Sequence, residues 1–485
     1  MFTHVTADRM DDPSGLSSGW RESVGALGLG AALGAALLAA PRSEPAEQLD
    51  EATRVSHLLR RAGFAAGPAE LAEYRGLGTA ATVDRLVDYG SVADDVDALL
   101  RSFSFDTARL GDAQREWLVR MLHTKRPLAE KMTLFWHGLL TSANSKVGRP
   151  ALMRQQNSFF REHALDDFGT ILRGVSQDPA MMLWLDTHNS RRAHPNENYA
   201  RELLELFSMG LGNYSEDDVR EAARAFTGWT VTKEGEAVFN RRQFDAGPKS
   251  FLGRTVATPS DVVDAIVAHP ATGRFIAGKL FAFFAYPGAD AATLEPFADV
   301  FRRTGGSVRA VVRAILSSDA FYSPRAYRSR LKSPVEYAVG ALRTLGVASD
   351  GRGVVERLTR MGQQLYNPPN VAGWPGGRAW LNSGTWIERL NFANGLTSAR
   401  GLGPLAAFDA RRHLEEQGLR RADEVVEHFL GLLVDGRTTE PARRVLRDYL
   451  GVSPGTDLTA DRRRLDERVR GLVYLVMAMP EYQLC

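Results

Sequence analysis

The side chains best suited to chemistry are concentrated in one short stretch, NENYARELLELFSMG at residues 196–210, which we call the polar segment. On a helix that turns by about 100° per residue, its charged and amide side chains fall on one arc together with Met209, and apolar side chains occupy the rest. Carboxylates in such an arc can act as bases or bind cations, and a guanidinium can hold an anion. The residues concerned are Glu197, Asn198, Arg201, Glu202 and Glu205.

The same arc also has a simpler interpretation. Residues four apart on a helix are neighbours, so Arg201 can pair with Glu197 and with Glu205 on a solvated surface. If the helix lies inside a helical assembly instead, Glu202 and Glu205 must be paired, metal-bound or protonated, because an isolated buried carboxylate is costly. The residues alone leave both interpretations open.

Imidazole groups precede the polar segment. His137 ends the motif KMTLFWHG, and His188 and His194 bracket the loop that leads into the segment. Imidazoles and carboxylates from neighbouring helices can bind zinc, manganese or iron, or perform acid–base catalysis. We therefore predict His137, Glu202 and Glu205 as catalytic residues and as the candidate metal ligands, although the sequence lacks the closely spaced ligand motifs of zinc enzymes.

A second unusual stretch is YNPPNVAGWPGGRAWLNSGTW at residues 366–386. Long loops of this kind are usually functional or disordered, and its three tryptophans argue against disorder. The tryptophans either stack on a sugar ring or a peptide, or plug the helical core. With the groups around the polar segment, this loop completes the predicted substrate-binding set: Asp186, Asn189, Asn196, Glu197, Asn198, Arg201, Asn370 and Trp374.

Helical periodicity dominates the chain from about residue 50. The runs from Ser215 to Asp218 and from Ser333 to Glu336 are typical helix starts, and Ser260 follows a proline that indicates another. Two short alternating runs around a Glu-Gly turn predict a hairpin. The predicted fold is all-α, a large multi-helix domain with one small β-hairpin at about 230–240.

Three parts of the chain are expected. Residues 1–49 form an apolar, low-complexity leader, residues 50–400 the main helical domain, and residues 401–485 a C-terminal helical extension packed on the same domain. Within the leader, residues 24–40 suit a signal-peptide core better than a membrane span. Because acidic residues precede that run, an exported or cell-envelope location and a cytoplasmic one both remain open.

Composition narrows the choice of partners. Sixty basic and 58 acidic residues give a formal net charge of +2, which predicts no general attraction to nucleic acid. The single cysteine, Cys485, excludes a disulfide within the chain and argues against thiolate metal clusters.

With these motifs collected, the chain resembles the bacterial family known as domain of unknown function 1800. The motifs that carry the resemblance lie within about residues 52–400 and include HLLRRAGF, KMTLFWHG, DPAMMLWLDTHNS, the polar segment, LKSPVEY and PPNVAGWPGG. The resemblance implies an all-α domain and brings no established reaction or cofactor. Its members are often encoded beside an uncharacterised exported protein of the 1501 group, which implies an envelope role or a partnership with that protein.

Two positions depart from the family pattern. The tryptophan motif often reads FWHNHF in the family, whereas FWHGLL here places Leu139 where a second histidine would stand. A later family segment often carries His-Asp before a glycine and a lysine, whereas Phe244 precedes Asp245 here. If those histidines bind a metal in relatives, the site in this chain is left to His137 and the carboxylates of the polar segment.

Two functions are therefore expected. One is a hydrolase-like or metal-dependent enzyme, in which Glu202 or Glu205 acts as base or ligand, His137 as acid or ligand, and Arg201 holds an anionic group. The alternative is a non-catalytic, envelope-associated scaffold or partner protein of the neighbouring exported protein. In that case the same residues form a buried ion-pair network that fixes helix register.

Overall fold

The computed structural model describes residues 49–106, 108–398, 401–402, 407–451, 453, 455–458 and 462–485. The predicted leader lies outside the described residues except for Leu49, and the candidate signal core at 24–40 lies outside them entirely.

The fold is helical throughout, which confirms the predicted all-α class. The helices before the β excursion are α1 (Glu51–Ala62), α2 (Pro68–Val87), α3 (Val96–Arg101), α4 (Leu110–His123), α5 (Pro127–Leu139), α6 (Asn144–Val147), α7 (Pro150–Glu162), α8 (Phe168–Ser176), α9 (Pro179–Trp184), α10 (Asn198–Glu202) and α11 (Glu216–Ala225). The helices after it are α12 (Pro259–Ala268), α13 (Pro270–Phe284), α14 (Ala291–Arg303), α15 (Val308–Leu316), α16 (Pro334–Thr344), α17 (Val354–Arg360), α18 (Ser383–Thr397), α19 (Ala410–Gln417), α20 (Ala422–Val434), α21 (Glu440–Leu450), α22 (Arg462–Ala478) and α23 (Pro480–Gln483).

Two antiparallel hairpins interrupt the helices. Strands β1 (Trp229–Val231) and β2 (Ala237–Phe239) pair with Thr230 opposite Val238, which confirms the hairpin predicted at about 230–240. A second hairpin joins β3 (Lys249–Phe251) to β4 (Arg254–Val256) and was not predicted. The two residues of its turn, Leu252 and Gly253, both have a positive φ, and leucine rarely adopts that conformation, so the sequence did not indicate the turn.

Three helix starts were predicted from a few adjacent residues, and the structure confirms two of them at the predicted position. Ser215 and Ser333 each form a capping box, in which the serine and the third helical residue exchange hydrogen bonds with each other's backbone N–H. The start predicted at Ser260 is slightly misplaced, because Thr258 caps α12 and the helix begins at Pro259.

The tryptophan loop is shorter than the predicted 366–386. Helix α18 already begins at Ser383, because the Asn382 side chain accepts a hydrogen bond from Thr385 N and caps the helix. An asparagine followed by Ser-Gly suits a turn as well as a cap, so the sequence alone did not reveal this boundary.

Apolar side chains form two large clusters. One contains residues between Leu49 and Tyr327, and the other combines side chains between Val335 and Tyr482 with several from the first half of the chain, including those of α4. Helix α22 contacts α18, α20 and α21 within the second cluster. The C-terminal helices therefore pack on a helix of the main segment. None of the described helices is both long and apolar enough to cross a membrane.

The loop between α17 and α18 crosses the C-terminal end of α5. Asn144 N donates to Tyr366 O at 2.9 Å, and Ser145 N donates to Asn367 Oδ1 at 2.9 Å. Gly373 has φ = +83°, and a Cβ atom there would lie 2.2 Å from the carbonyl oxygen of Gly138. Only glycine allows the loop to approach the helix end this closely.

We expect Gly373→Ala to lower the free energy of unfolding by about 2–4 kcal/mol, because it adds a steric clash to the strain of a left-handed residue. Gly148→Ala is the matched control: Gly148 is also left-handed, with φ = +65° and ψ = 12°, but no atom lies within 4 Å of a Cβ there. The control should lose only about 1 kcal/mol. Chemical denaturation measures both, and equal losses would contradict the close contact with α5.

Candidate functional site

The polar segment is helical but not one regular α-helix. Helix α10 is followed directly by a π-helix at Leu203–Ser208, and Met209 N reaches back five residues to Leu204 O at 3.0 Å. A projection at 100° per residue does not hold for this wider turn. Met209, which was predicted to lie on the polar arc, is instead buried and only 2% exposed. Asn196 and Glu197 precede the helix. Short π-helical stretches occur frequently at functional sites.

Arg201 is engaged by two carboxylates. Its Nη2 lies 3.2 Å from Glu197 Oε2, which is the predicted four-residue pair, and both terminal nitrogens donate to Glu216 of α11 at 2.8 Å. Hydrogen bonding to Glu216 raises the pKa of Arg201. Among the described contacts Arg201 makes no ion pair with Glu205, so that prediction is wrong. The guanidinium prefers a carboxylate from the adjacent helix, which the local sequence could not indicate.

Glu202 and Glu205 are half-buried neighbours with different surroundings. Glu205 faces Tyr214, and burial together with the charge of Glu205 raises the pKa of the Tyr214 hydroxyl. Glu202 accepts no hydrogen bond within the described part of the chain, and burial together with the charge of Glu205 raises its pKa. A raised carboxyl pKa in a half-buried position is typical of groups that bind a partner charge or transfer protons.

Asp186 connects the polar segment with α6. Lys146 Nζ donates to Asp186 Oδ2 at 2.9 Å, and Asn198 Nδ2 lies 3.4 Å from the same oxygen. Lys146 also donates to Trp184 O at 2.6 Å. Asp186 adopts a left-handed φ of +62°, a strained conformation that aspartate tolerates better than most residues. The structure thus brings together the predicted Asp186 and Asn198, with Lys146 as a partner that the sequence analysis missed.

Lysine is rare in this chain, and Lys146 follows the KMTLFWHG motif; these two features could have drawn attention to it.

The remaining predicted amides have local roles or face solvent. Asn196 Oδ1 accepts from Asn198 N at 2.9 Å, and Asn370 Oδ1 accepts from Ala372 N at 2.9 Å, so both side chains shape turns. Asn189 is exposed.

His137 lies in an aromatic cage. Its ring centroid is 5.6 Å from that of Trp117, 5.8 Å from Tyr366 and 5.4 Å from Trp374. The side chain is 1% exposed, and Nε2 has no hydrogen-bond partner among the described residues. Burial alone lowers its pKa to about 3, so the imidazole is neutral at physiological pH. No carboxylate contributes to this shift, and the structure does not bring His137 together with Glu202 and Glu205.

No group of three or more His, Cys, Asp or Glu side chains with a metal-binding arrangement occurs within the described ranges. The candidate ligands therefore lie in separate places: His137 in its cage and the two glutamates at the surface.

Trp374 is half-buried against His137, and Trp380 is 6% exposed. Both tryptophans thus pack on the protein itself, as the plug interpretation of the loop expects.

The two positions that depart from the family pattern hold apolar side chains with packing roles. Leu139 is partly buried against the first apolar cluster. The Phe244 ring centroid lies 5.3 Å from that of Phe239 and 5.2 Å from Lys249 Nζ.

Comparison with known proteins gives one match. A family model described as a protein of unknown function (DUF1800) matches residues 57–484, which includes the C-terminal helices beyond residue 400. Neither the curated proteins nor the solved structures contain a match.

Replacing His137 by phenylalanine tests its burial through the pH dependence of stability. The folded-state pKa of about 3 lies below the ordinary 6.5, so only the unfolded chain binds a proton between these values. The contribution of the neutral, buried imidazole to stability is therefore complete above pH 6.5 and is lost as the pH falls toward 3. His137→Phe should reduce the loss by up to about 1.4 kcal/mol per pH unit.

Denaturant titrations between pH 7 and pH 4 measure this slope. His194→Phe, which replaces a histidine that is exposed to solvent, is the control. A slope that is the same in His137→Phe and in the wild type would show that the imidazole is not buried as described.

At pH 7, Glu202→Gln should leave the free energy of unfolding unchanged or raise it by up to about 0.5 kcal/mol. The raised pKa means that the ionised carboxylate is disfavoured in the fold above its ordinary pKa, so removing the charge relieves that cost. Glu205→Gln, which weakens the contact with Tyr214, is the matched comparison and should not stabilise. A loss of more than about 1 kcal/mol in Glu202→Gln would indicate a structural partner for Glu202.

Proposed function

The chain belongs to the DUF1800 family, and we propose that it is a non-catalytic partner protein that docks another protein through a polar surface. This surface, which we call the docking face, consists of Asp186, Asn189, Asn198, Glu202 and Glu205. The proposed partner is the exported protein of the 1501 group that the family resemblance suggests.

The observation that carries the proposal is the position of His137. An acid–base or metal-dependent site built from the predicted residues needs an imidazole within reach of Glu202 and Glu205. His137 is instead enclosed by aromatic rings, with a pKa lowered to about 3 by burial. The second group required for chemistry, Arg201, is already bound by Glu197 and Glu216.

The charges around the docking face indicate what it would bind. Lys146 and Arg201 pair with Asp186, Glu197 and Glu216, whereas Glu202 and Glu205 make no ion pair within the described residues. Both cations are already paired, so Glu202 and Glu205 leave excess negative charge. A partner that presents lysine or arginine side chains would complement it.

An apolar side chain adjoins these charges. Leu211 follows the π-helix and is 73% exposed, and its carbonyl is held by Asn213 Nδ2 at 3.3 Å. An exposed leucine beside a polar rim is the arrangement of a protein contact, in which the apolar group is buried and the rim sets orientation. Leu211 is therefore the expected centre of the contact.

One observation favours a second candidate, a hydrolase-like activity. Glu202 has a raised pKa and no hydrogen-bond partner among the described residues, and it lies where the α-helix changes to a π-helix. A carboxylate in this state can serve as a general base. In this alternative Glu202 abstracts the proton of a water molecule, and His137 takes no part.

Titration calorimetry with the purified 1501-group protein of the same genome tests the docking. Charge reversal in Glu202→Lys/Glu205→Lys should weaken binding at least about tenfold, and added salt should weaken wild-type binding, because exposed charges are screened. The control is Asp319→Lys/Glu356→Lys, which reverses two exposed acids elsewhere and should bind as the wild type does.

Absence of wild-type binding would contradict the proposal, as would equal weakening in both double variants. Turnover of an ester or amide by the wild type that disappears in Glu202→Gln would support the hydrolase-like candidate instead.

A further inference from the structure

A small cavity of about 30 Å³ lies among α1, α16, α20 and the residues before Cys485. Its wall is mainly apolar, and its charged and aromatic lining consists of Arg60, Lys332, Glu336, Asp435, Phe64 and Tyr482. Because one water needs roughly 10–15 Å³ of such volume, the cavity admits about two waters or one monatomic ion. This volume suits a monatomic ion better than a phosphate or an organic substrate.

The two carboxylates of the cavity wall are already satisfied. Asp435 accepts both Arg60 terminal nitrogens at 2.8 and 2.6 Å, Arg328 Nη2 at 3.1 Å and the Tyr327 hydroxyl at 2.7 Å. Glu336 accepts from Lys131 Nζ and from Ser333 N. Each carboxylate therefore has a cation of its own, and Asp435 has two.

Two further cations contact residues of the cavity wall and pair with no Asp or Glu side chain within the described residues. Arg389 donates to Lys332 O at 2.7 Å and to Gln483 Oε1 at 3.3 Å. Arg61 donates to main-chain oxygens, including Phe284 O at 2.6 Å and Cys485 O at 2.9 Å. Both side chains are fully buried. Positive charge in the interior without a counter-charge is costly, so this excess calls for compensation.

The excess of buried positive charge over negative charge is large. The cation cluster comprises Arg60, Arg61, Lys131, Arg328, Arg330, Lys332 and Arg389. Against these seven side chains stand the two carboxylates and, at most, one further negative charge at Cys485.

Several donors of the cluster have no acceptor in the described part of the protein. Lys332 is 6% exposed and makes no hydrogen bond through Nζ, which lies 3.5 Å from the centroid of the Tyr482 ring. Arg60 Nε, Arg330 Nη1 and Arg389 Nε are buried and likewise unbonded. Buried donors are nearly always satisfied in native proteins, but these arginine nitrogens lack an acceptor among the described residues, and Arg60 is the one of the three that lines the cavity.

We propose that the cavity binds one small monovalent anion, of the size of chloride, held by the Lys332 ammonium within the cation cluster. The anion supplies the acceptor that Lys332 lacks and part of the negative charge that the cluster lacks. This site is independent of the docking face and goes beyond the proposed function.

The electrostatics of Lys332 agree with this assignment. Burial, and then the positive charges of Arg328, Arg60 and Arg389, lower its pKa well below the ordinary value, while Cys485 acts in the opposite direction. An anion in the cavity would offset the positive field and keep the ammonium charged.

The cluster also gives a role to three sequence motifs that the docking face does not use. HLLRRAGF supplies Arg60 and Arg61, KMTLFWHG supplies Lys131, and LKSPVEY supplies Lys332 and Glu336. Separate parts of the chain thus converge on one buried site.

The first test compares thermal unfolding in sodium chloride and in sodium gluconate at equal ionic strength, since gluconate is too large for the cavity. Chloride should raise the midpoint of the wild type saturably by about 2–4 °C. Lys332→Met should lose this response, and Lys125→Met, which removes an exposed ammonium, should retain it.

The second test needs no variant and decides the question if Lys332→Met does not fold. Wild-type crystals soaked in about 200 mM sodium bromide should show an anomalous scattering peak in the cavity beside Lys332. The proposal is overturned if that peak is absent, or if wild type and Lys332→Met respond equally to chloride.

Discussion

The buried ion pair between Lys131 and Glu336 is the interaction on which the arrangement of the helices depends. Lys131 lies on α5, whose apolar side chains belong mainly to the first cluster, and Glu336 lies on α16 in the second. Burial opposes the charged form of both groups, yet Lys131 and Arg330 hold the pKa of Glu336 well below its usual range. Glu336 also closes the capping box of α16. Removing either partner would leave a buried charge unpaired, at a cost of about 3–5 kcal/mol.

Because this ion pair fixes α5, it also fixes the position of His137 on that helix. Two turns beyond Lys131, the helix ends against Tyr366 and Trp374 of the tryptophan loop, and the imidazole is enclosed there. The motifs of the chain therefore divide into two groups. One group builds the buried cation cluster and the other builds the docking face, while PPNVAGWPGG closes the cage around His137.

The features predicted correctly from the sequence depend on few adjacent residues. The capping boxes at Ser215 and Ser333 and the first hairpin are of this kind, and so is the helical period that gives the fold class. The features that were missed depend on tertiary contacts. Arg201 pairs with Glu216, fifteen residues away, rather than with Glu205, and the π-helix moves Met209 off the polar arc. The short second hairpin and the enclosure of His137 carry no local pattern.

The central claim is that His137 is sealed from the carboxylates of the docking face. Its most direct test is an NMR titration of the His137 imidazole in the wild type and in Glu202→Gln. The account predicts a neutral imidazole down to pH 4.5 and no change in its titration in the variant, because burial lowers its pKa to about 3 without help from any carboxylate. Titration between about pH 5 and pH 7 that shifts in Glu202→Gln would contradict the account, since it would place an ionisable histidine beside Glu202.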